Sequence, residues 1–223
     1  MTGTIQPHTF RLRDLVGGHI VIDLVNTVTA RGAEPIDWLD GYPRLLEWAA
    51  LTGHFAPADL TALRRLAGSE PDRAELALGR TRELREALHD LLAALIHQDA
   101  PAPAEAVDRV ENHWKRAVAS ARLTFRGATP QLQAGVETSG LDYLDHELAL
   151  QAFDLLRALP LERTRVCLGQ RCGWLFIDGS RGGRRRWCSM ATCGNSAKGR
   201  THYQRNRAGG TGPGLDNDEA PGL

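Results

Sequence analysis

Apolar residues recur at helical spacing through most of the first 160 residues of the chain. Positions three and four residues apart lie on one face of an α-helix, so this pattern predicts amphipathic helices that bury one side. One long helix is predicted after Pro71 and another after residue 104. The first apolar stripe comprises Leu76, Leu84, Leu88, Leu91, Leu92 and Leu95, and the second comprises Val107, Val110, Trp114 and Val118.

Proline and glycine mark the ends of two further predicted helices. Pro57 and Gly68 bracket one of them, because proline is favoured in the first helical turn and glycine near the last. The segment LDYLDHELALQAFDLLRAL forms the other and stops before Pro160, since the residue before a proline avoids helical geometry.

Strand patterns are short and few. FRLRDLV alternates between apolar and polar positions and predicts a strand, while LTFRG and QLQAGVE predict a hairpin. HIVIDLVNTV fits two structures, because its β-branched residues favour a strand whereas Ile20, Leu24 and Val28 form a helical face. We expect a helix there. The chain is thus predicted to be α+β, with a mainly helical N-terminal domain with short strands over residues 1–160.

The next segment contains every cysteine of the chain, in two Cys-x4-Cys pairs separated by fifteen residues. Two such pairs can supply four thiolates to one tetrahedral metal ion. A catalytic zinc keeps one position open for water, so an all-cysteine shell favours one structural Zn(II) per chain. Two disulfides, an iron–sulfur cluster and four buried thiols are the alternatives. The predicted ligands are Cys167, Cys172, Cys188 and Cys193.

Secondary structure around the cysteines is predicted to be a hairpin and a helix. Gly-Trp-Leu-Phe-Ile-Asp, a glycine-rich turn and Arg-Arg-Arg-Trp are typical of two strands joined by a turn. Ser189 is placed to cap a helix that extends to about Arg207. This arrangement resembles a treble-clef zinc finger over residues 161–207. Residues 208–223 have almost nothing to bury, and we expect them to be disordered.

Charge divides the chain into two unlike parts although the total is zero. Residues 163–207 hold eleven arginine and lysine side chains and one acid, a net charge of +10, which leaves −10 for the rest. A compact basic element favours nucleic acid, and arginine pairs well with phosphate. The alternative is docking on the acidic N-terminal domain or on an acidic protein. The candidate nucleic-acid contacts are Arg181, Arg184, Arg185, Arg186, Lys198, Arg200, Arg205 and Arg207.

Motifs of known enzyme chemistry and of membrane targeting are missing from the sequence. It has no phosphate-binding glycine loop, no His-Glu-x-x-His and no nucleophile elbow, so we expect no enzyme. The N-terminus has no basic segment followed by an apolar one, and no apolar run approaches membrane-spanning length. We therefore expect a cytoplasmic protein, with reduced thiols and no membrane partner.

A polar group interrupts the apolar segment near residue 25. Asp23, Asn26 and Thr27 share one face of the expected helix, and Arg31 follows them. These four residues could line a pocket for an unknown small-molecule effector. Alternatively, they hydrogen-bond to neighbouring backbone and fix the path of the chain into the core.

The residues CGWLFID, SR and RRRWCSMATCGN, together with the cysteine pairs, resemble the CGNR zinc finger. VGGHIVIDLVNTVTARG resembles the ABATE domain that precedes this finger in stress-induced transcription regulators. The resemblance implies that the four cysteines bind the metal and that the finger binds DNA. Ser196 stands where the family motif has arginine, so any contact that the arginine makes is not implied here.

The size of the finger has a further implication. One small finger buries little DNA surface, and specific sites are usually read as two half-sites, so a homodimer is predicted. The alternative function is a ligand-binding protein or an enzyme whose finger is purely structural and docks on protein.

Overall fold

The computed structural model describes residues 3–98, 101–199 and 203. The α-helices of residues 1–160 are α1 Ile20–Val25, α2 Tyr42–Thr52, α3 Pro57–Ser69, α4 Pro71–His97, α5 Ala104–Ser120, α6 Val136–Ser139 and α7 Tyr143–Ala158. The strands are β1 Thr4–Ile5, β2 Val28–Thr29, β3 Ile36–Asp37, β4 Arg122–Arg126, β5 Thr129–Gln133, β6 Thr164–Val166 and β7 Leu175–Ile177. The α+β prediction, with helices predominating, is confirmed. Below, the body is the described part of residues 3–160 and the finger that of residues 161–203.

Helix α4 forms the centre of the body and packs against α1, α2, α3, α5 and α7. Its leucines at 78, 84, 88 and 92 are fully buried. The long helix predicted after Pro71 is confirmed, although Leu76 of its predicted stripe is 62% exposed. In α5 the predicted residue Val107 is exposed as well, while Val110 is buried.

Proline and glycine act at helix ends much as the sequence predicts. Helices α3 and α4 begin at Pro57 and Pro71, whose missing N–H groups are not needed in a first turn. Helix α2 ends at Gly53, which adopts a positive φ of 67° that other residues avoid. Helix α3 continues one residue beyond Gly68.

The ambiguous segment is a helix, as expected, but a short one. Helix α1 ends at Val25, and β2 begins at Val28, so Val28 belongs to a strand and not to the helical face. Strands β2 and β1 flank β3 in a small sheet, antiparallel and parallel to it respectively. The predicted hairpin is present as β4–β5, with Leu123 opposite Leu132. Its second strand ends at Gln133, and the predicted strand residues Val136 and Glu137 begin helix α6 instead.

The strand predicted for FRLRDLV is wrong. Residues Leu12–Asp14 form a single 3₁₀ turn. The Asp14 carboxylate accepts the backbone N–H of Arg11 and also contacts the imidazole of His8. This local hydrogen bond closes a turn, and the alternation of seven residues is too short to outweigh it.

The hairpin predicted for the finger also differs from the one in the structure. Strand β7 pairs with β6, which precedes the first cysteine pair, and not with Arg-Arg-Arg-Trp. The carboxylate of Asp178 accepts the backbone N–H groups of Ser180 and Arg185, so the glycine-rich segment forms a closed loop. Cys167 and Cys172 therefore lie in the connection between β6 and β7. The predicted tail at residues 208–223 lies outside the described residues.

Body and finger share one core. Leu175 and Val166 pack with the apolar residues of the body, and only a short turn separates α7 from β6. The side chain of Asn26 donates to the carbonyl oxygen of Leu175 and accepts its N–H, both at 2.9 Å. The N–H of Ile177 donates to the carbonyl oxygen of Gly17. Asn26 thus gives β7 the hydrogen bonds that a neighbouring strand would give.

Replacing Asn26 by alanine tests this contact. The buried N–H and C=O of Leu175 would lose their partners, which predicts a loss of about 2–4 kcal/mol in the free energy of unfolding. Urea unfolding followed by tryptophan fluorescence measures it. Asn195→Ala removes an exposed asparagine of the finger and is expected to change stability by less than about 0.5 kcal/mol. Equal losses for the two variants would contradict the role of Asn26.

Candidate metal centre and nucleic-acid interface

The four cysteine sulfurs converge on one point of the finger. All four lie within 4.8 Å of one another. The Sγ atoms of Cys172 and Cys188 are 3.7 Å apart, and those of Cys188 and Cys193 are 3.8 Å apart. A zinc ion with Zn–S bonds of about 2.3 Å has its four sulfurs at the corners of a tetrahedron with edges of about 3.8 Å. The spacing therefore suits a tetrahedral metal, and it is too long for a disulfide.

Hydrogen bonds prepare one of these sulfurs to act as a thiolate. The Cys167 Sγ atom accepts the backbone N–H groups of Gly169 and Cys188 at 3.4 and 3.3 Å. Hydrogen bonds from the thiols of Cys172 and Cys188, and then from these N–H groups, lower the pKa of Cys167. The hydrogen bonds that the Cys172 and Cys188 thiols make to the Cys167 sulfur raise the pKa of both thiols. Burial of the two thiols raises it further. A divalent cation among the four sulfurs would stabilise the thiolate form of each, so one thiolate would no longer disfavour the others.

The backbone near the cluster has the shape that the cysteine spacing requires. A Cβ atom on Gly169 would lie 3.0 Å from the Cys193 sulfur, so glycine permits the first pair to approach the second. Met190–Gly194 is a wide π-type turn in which the N–H of Gly194 bonds to the carbonyl oxygen of Ser189. Residues 195–199 continue it as α-helix. Ser189 occupies the predicted N-cap position, although its side chain makes no capping hydrogen bond.

Apolar side chains from both parts of the molecule surround the sulfurs. Phe176 is fully buried and Trp174 is 8% exposed, so both side chains pack around the sulfurs. Val16 and Trp38 of the body pack into the same cluster. The sequence analysis missed these two residues, because nothing in their local pattern indicates contact with residues 130 or more positions away.

The four residues of the predicted effector pocket make structural contacts instead of lining one cavity. Asn26 holds β7, and the buried hydroxyl of Thr27 donates to the carbonyl oxygen of Leu24 and accepts from Arg85. Arg31 forms an ion pair with Glu86, with the closest N–O distance at 2.7 Å. These contacts match the alternative that the sequence offered, in which the polar group fixes the path of the chain.

Arg31 lines one cavity together with Glu86 and His89. Asp23 faces a different one. It lies beside a cavity of about 360 Å³ together with His19, His54 and Gln151. Burial raises the pKa of Asp23 to about 6, although hydrogen bonds from the backbone N–H groups of Gly17 and Val16 oppose the shift. The raised pKa means that the folded protein holds this proton more tightly than the unfolded chain, so the contribution of Asp23 to stability falls as the pH rises from about 4 to about 6.

The predicted nucleic-acid contacts differ in their exposure. Arg181, Arg184, Arg186 and Lys198 are exposed on the finger. Arg185 is not free, because its guanidinium lies 4.7 Å from the centre of the Phe176 ring and donates to the carbonyl oxygen of Cys188. Arg200, Arg205 and Arg207 lie outside the described residues.

Asp178 organises the loop that carries the exposed arginines. The Ser180 hydroxyl and the backbone N–H groups of Arg185 and Ser180 hold the pKa of this buried carboxyl at about 2. The guanidinium of Arg163 donates to the carbonyl oxygens of Asp178 and Ser180. The sequence held one signal for this role, since Asp178 is the single acid among residues 163–207.

Comparison with protein families agrees with the geometry. Residues 163–206 match the CGNR zinc finger, and residues 18–159 match the ABATE family, which is described as "Putative stress-induced transcription regulator". The chain belongs to the ABATE family and carries a CGNR zinc finger. The comparison with curated proteins gave no match. Among the residues that the structure describes, no helix is both long and apolar enough to cross a membrane.

Proposed function

We propose that the protein is a cytoplasmic transcription regulator whose finger holds one structural Zn(II) and binds DNA through exposed arginines. The observation that carries this proposal is the loop of Arg181 and Arg184, which Asp178 and Arg163 hold in place beside the sulfur cluster. Fixed cations on a folded scaffold contact phosphates with little loss of side-chain and backbone freedom.

The way the finger docks on the body supports DNA over an intramolecular role for these arginines. The contacts across the seam are hydrogen bonds to backbone and apolar packing, from Asn26, Gly17 and Ala30. Within residues 3–98, 101–199 and 203, no finger arginine forms an ion pair with a carboxylate of the body. The positive surface therefore stays available to an anionic polymer.

Zinc has a structural role in this proposal. Four cysteines fill a tetrahedral shell, so a bound ion keeps no open position for water and supplies shape to the finger. Metal analysis of the purified protein is expected to give one zinc per chain. A Cys172→Ser, Cys188→Ser variant is expected to give none, and to expose Trp174 to solvent. Iron with visible absorbance would contradict zinc, and an unchanged zinc content in the variant would contradict the ligand set.

Duplex binding across a salt series tests the DNA contacts. If Arg181 and Arg184 each neutralise a phosphate, replacing both by glutamine should reduce the slope of log affinity against log salt by up to about 1.8. The control is Arg64→Gln, Arg65→Gln, which makes the same charge change on exposed positions of α3. A slope near zero for the unmodified protein would contradict the proposal, and so would equal effects of the two double variants.

A two-fold assembly would complete this function, because specific sites usually consist of two half-sites. The apolar face of the β4–β5 hairpin, where Leu123 and Phe125 are 64% and 65% exposed, is a surface on which such an assembly could form. Light scattering of the protein with and without DNA distinguishes one copy from two.

A further inference from the structure

A cavity of about 580 Å³ lies on the seam between body and finger, beside the sulfur cluster. Its walls come from both parts, with Arg13 and Trp38 on one side and Arg171, Trp174, Asn195 and Ser196 on the other. Of the predicted metal ligands, Cys172 and Cys193 reach its wall, whereas Cys167 and Cys188 do not line it. The cavity is therefore adjacent to the metal centre and distinct from it, and its volume is typical of small-molecule sites.

The charged groups of the cavity favour an anion. Arg13 and Arg171 are exposed, and neither forms an ion pair within the described part of the chain. The one acid on the wall, Asp14, already accepts the N–H of Arg11 and contacts His8. Two guanidinium groups thus remain free for a ligand, and guanidinium pairs bidentately with carboxylate or phosphate.

The aromatic groups of the cavity favour a flat ring. The rings of Trp38 and Trp174 meet edge to face, with centroids 5.4 Å apart. The indole N–H of Trp174 is buried and has no hydrogen-bond partner among the described residues. This N–H is closed off from solvent and therefore from the cavity, so Trp174 offers a ligand ring surface and no hydrogen bond.

We propose that this cavity binds a small aromatic or heteroaromatic carboxylate or phosphate. The ring packs against Trp38 and Trp174, and the anionic group lies near Arg13 and Arg171. The proposal rests on the proposed function in one respect, since it takes this ligand as the signal that the regulator detects.

A ligand in this position would couple to the arrangement of the finger. Asn195 and Ser196 lie at the start of the helix that follows Cys193, whereas Arg13 and Trp38 belong to the body. A ligand that contacts both sides binds more tightly when they are docked, so it stabilises the docked state. The finger and its metal would then be held more firmly while the ligand is bound.

Calorimetry on the full-length, zinc-loaded protein tests the site directly. The probes are 1-naphthoate and phenyl phosphate, which carry a ring and an anion. Inorganic phosphate and 1-naphthalenemethanol each carry only one of these features. We expect both full probes to bind at millimolar concentrations or below, and each partial probe to bind at least about tenfold more weakly. No binding of either full probe, or equal binding of phenyl phosphate and inorganic phosphate, would overturn the proposal.

Variants locate the bound probe. Arg13→Gln and Arg171→Gln are each expected to weaken 1-naphthoate about tenfold, with the zinc content unchanged. Arg181→Gln is the matched control, because this exposed arginine of the finger does not line the cavity. If Arg171→Gln fails to retain zinc, Arg13→Gln on the body still locates the probe. Equal weakening by Arg13→Gln and Arg181→Gln would mean nonspecific attraction to a basic surface.

Two further measurements separate this proposal from DNA binding. Transfer of zinc to a chelator should be at least about threefold slower with saturating 1-naphthoate, and the effect should be lost in Arg13→Gln. This readout needs no DNA, so the site stands if the protein binds no duplex and the proposed function fails. An unchanged transfer rate would overturn the coupling. Displacement of the probe by a duplex without change in the finger would assign the cavity to a nucleotide of bound DNA and overturn the small-molecule site.

Discussion

The convergence of four cysteine sulfurs on one point, as a metal ion requires, is the constraint on which the finger depends. Four cysteine sulfurs lie within 4.8 Å of one another, and a thiolate at Cys167 discourages a second one at Cys172 or Cys188. Only a cation at the centre makes four thiolates stable together. Three parts of the finger meet at the sulfur cluster: the β6–β7 hairpin, the loop at Asp178 and the turn at Met190–Gly194. The cluster therefore sets their positions relative to one another.

Contacts with the body are a second constraint on the finger. Asn26 occupies the free edge of β7 and gives Leu175 the hydrogen bonds of a neighbouring strand. Val16 and Trp38 close the apolar side of the metal cluster. The finger is thus held together at one end by the cysteine cluster and anchored along its edge by the body. A change at the seam between them, such as a ligand beside Trp38 and Trp174, would therefore reach the exposed arginines through rigid structure.

Local patterns in the sequence predicted local structure well, and non-local contacts explain what they missed. Helices α3, α4, α5 and α7 follow from apolar spacing and proline, and the sulfur cluster follows from two cysteine pairs. The partner of β7 could not be predicted, because β6 and the Arg-Arg-Arg-Trp segment both lie within ten residues of it and the hydrogen bonds of Asp178 decided between them. The role of Asn26 was equally hidden, since its partner is 149 residues away. FRLRDLV shows the opposite case, in which one local hydrogen bond, from the Arg11 N–H to the Asp14 carboxylate, outweighed a strand pattern.

Hydrogen exchange of the protein before and after zinc removal tests most directly whether the metal cluster holds the finger and its seam. Three amides report on it: those of Cys188, Leu175 and Ile177, which donate to the Cys167 sulfur, to Asn26 and to Gly17 respectively. On chelation, exchange at all three should accelerate while the amides of the buried leucines of α4 stay protected. Protection that persists at Cys188 and Leu175 without metal would contradict the account.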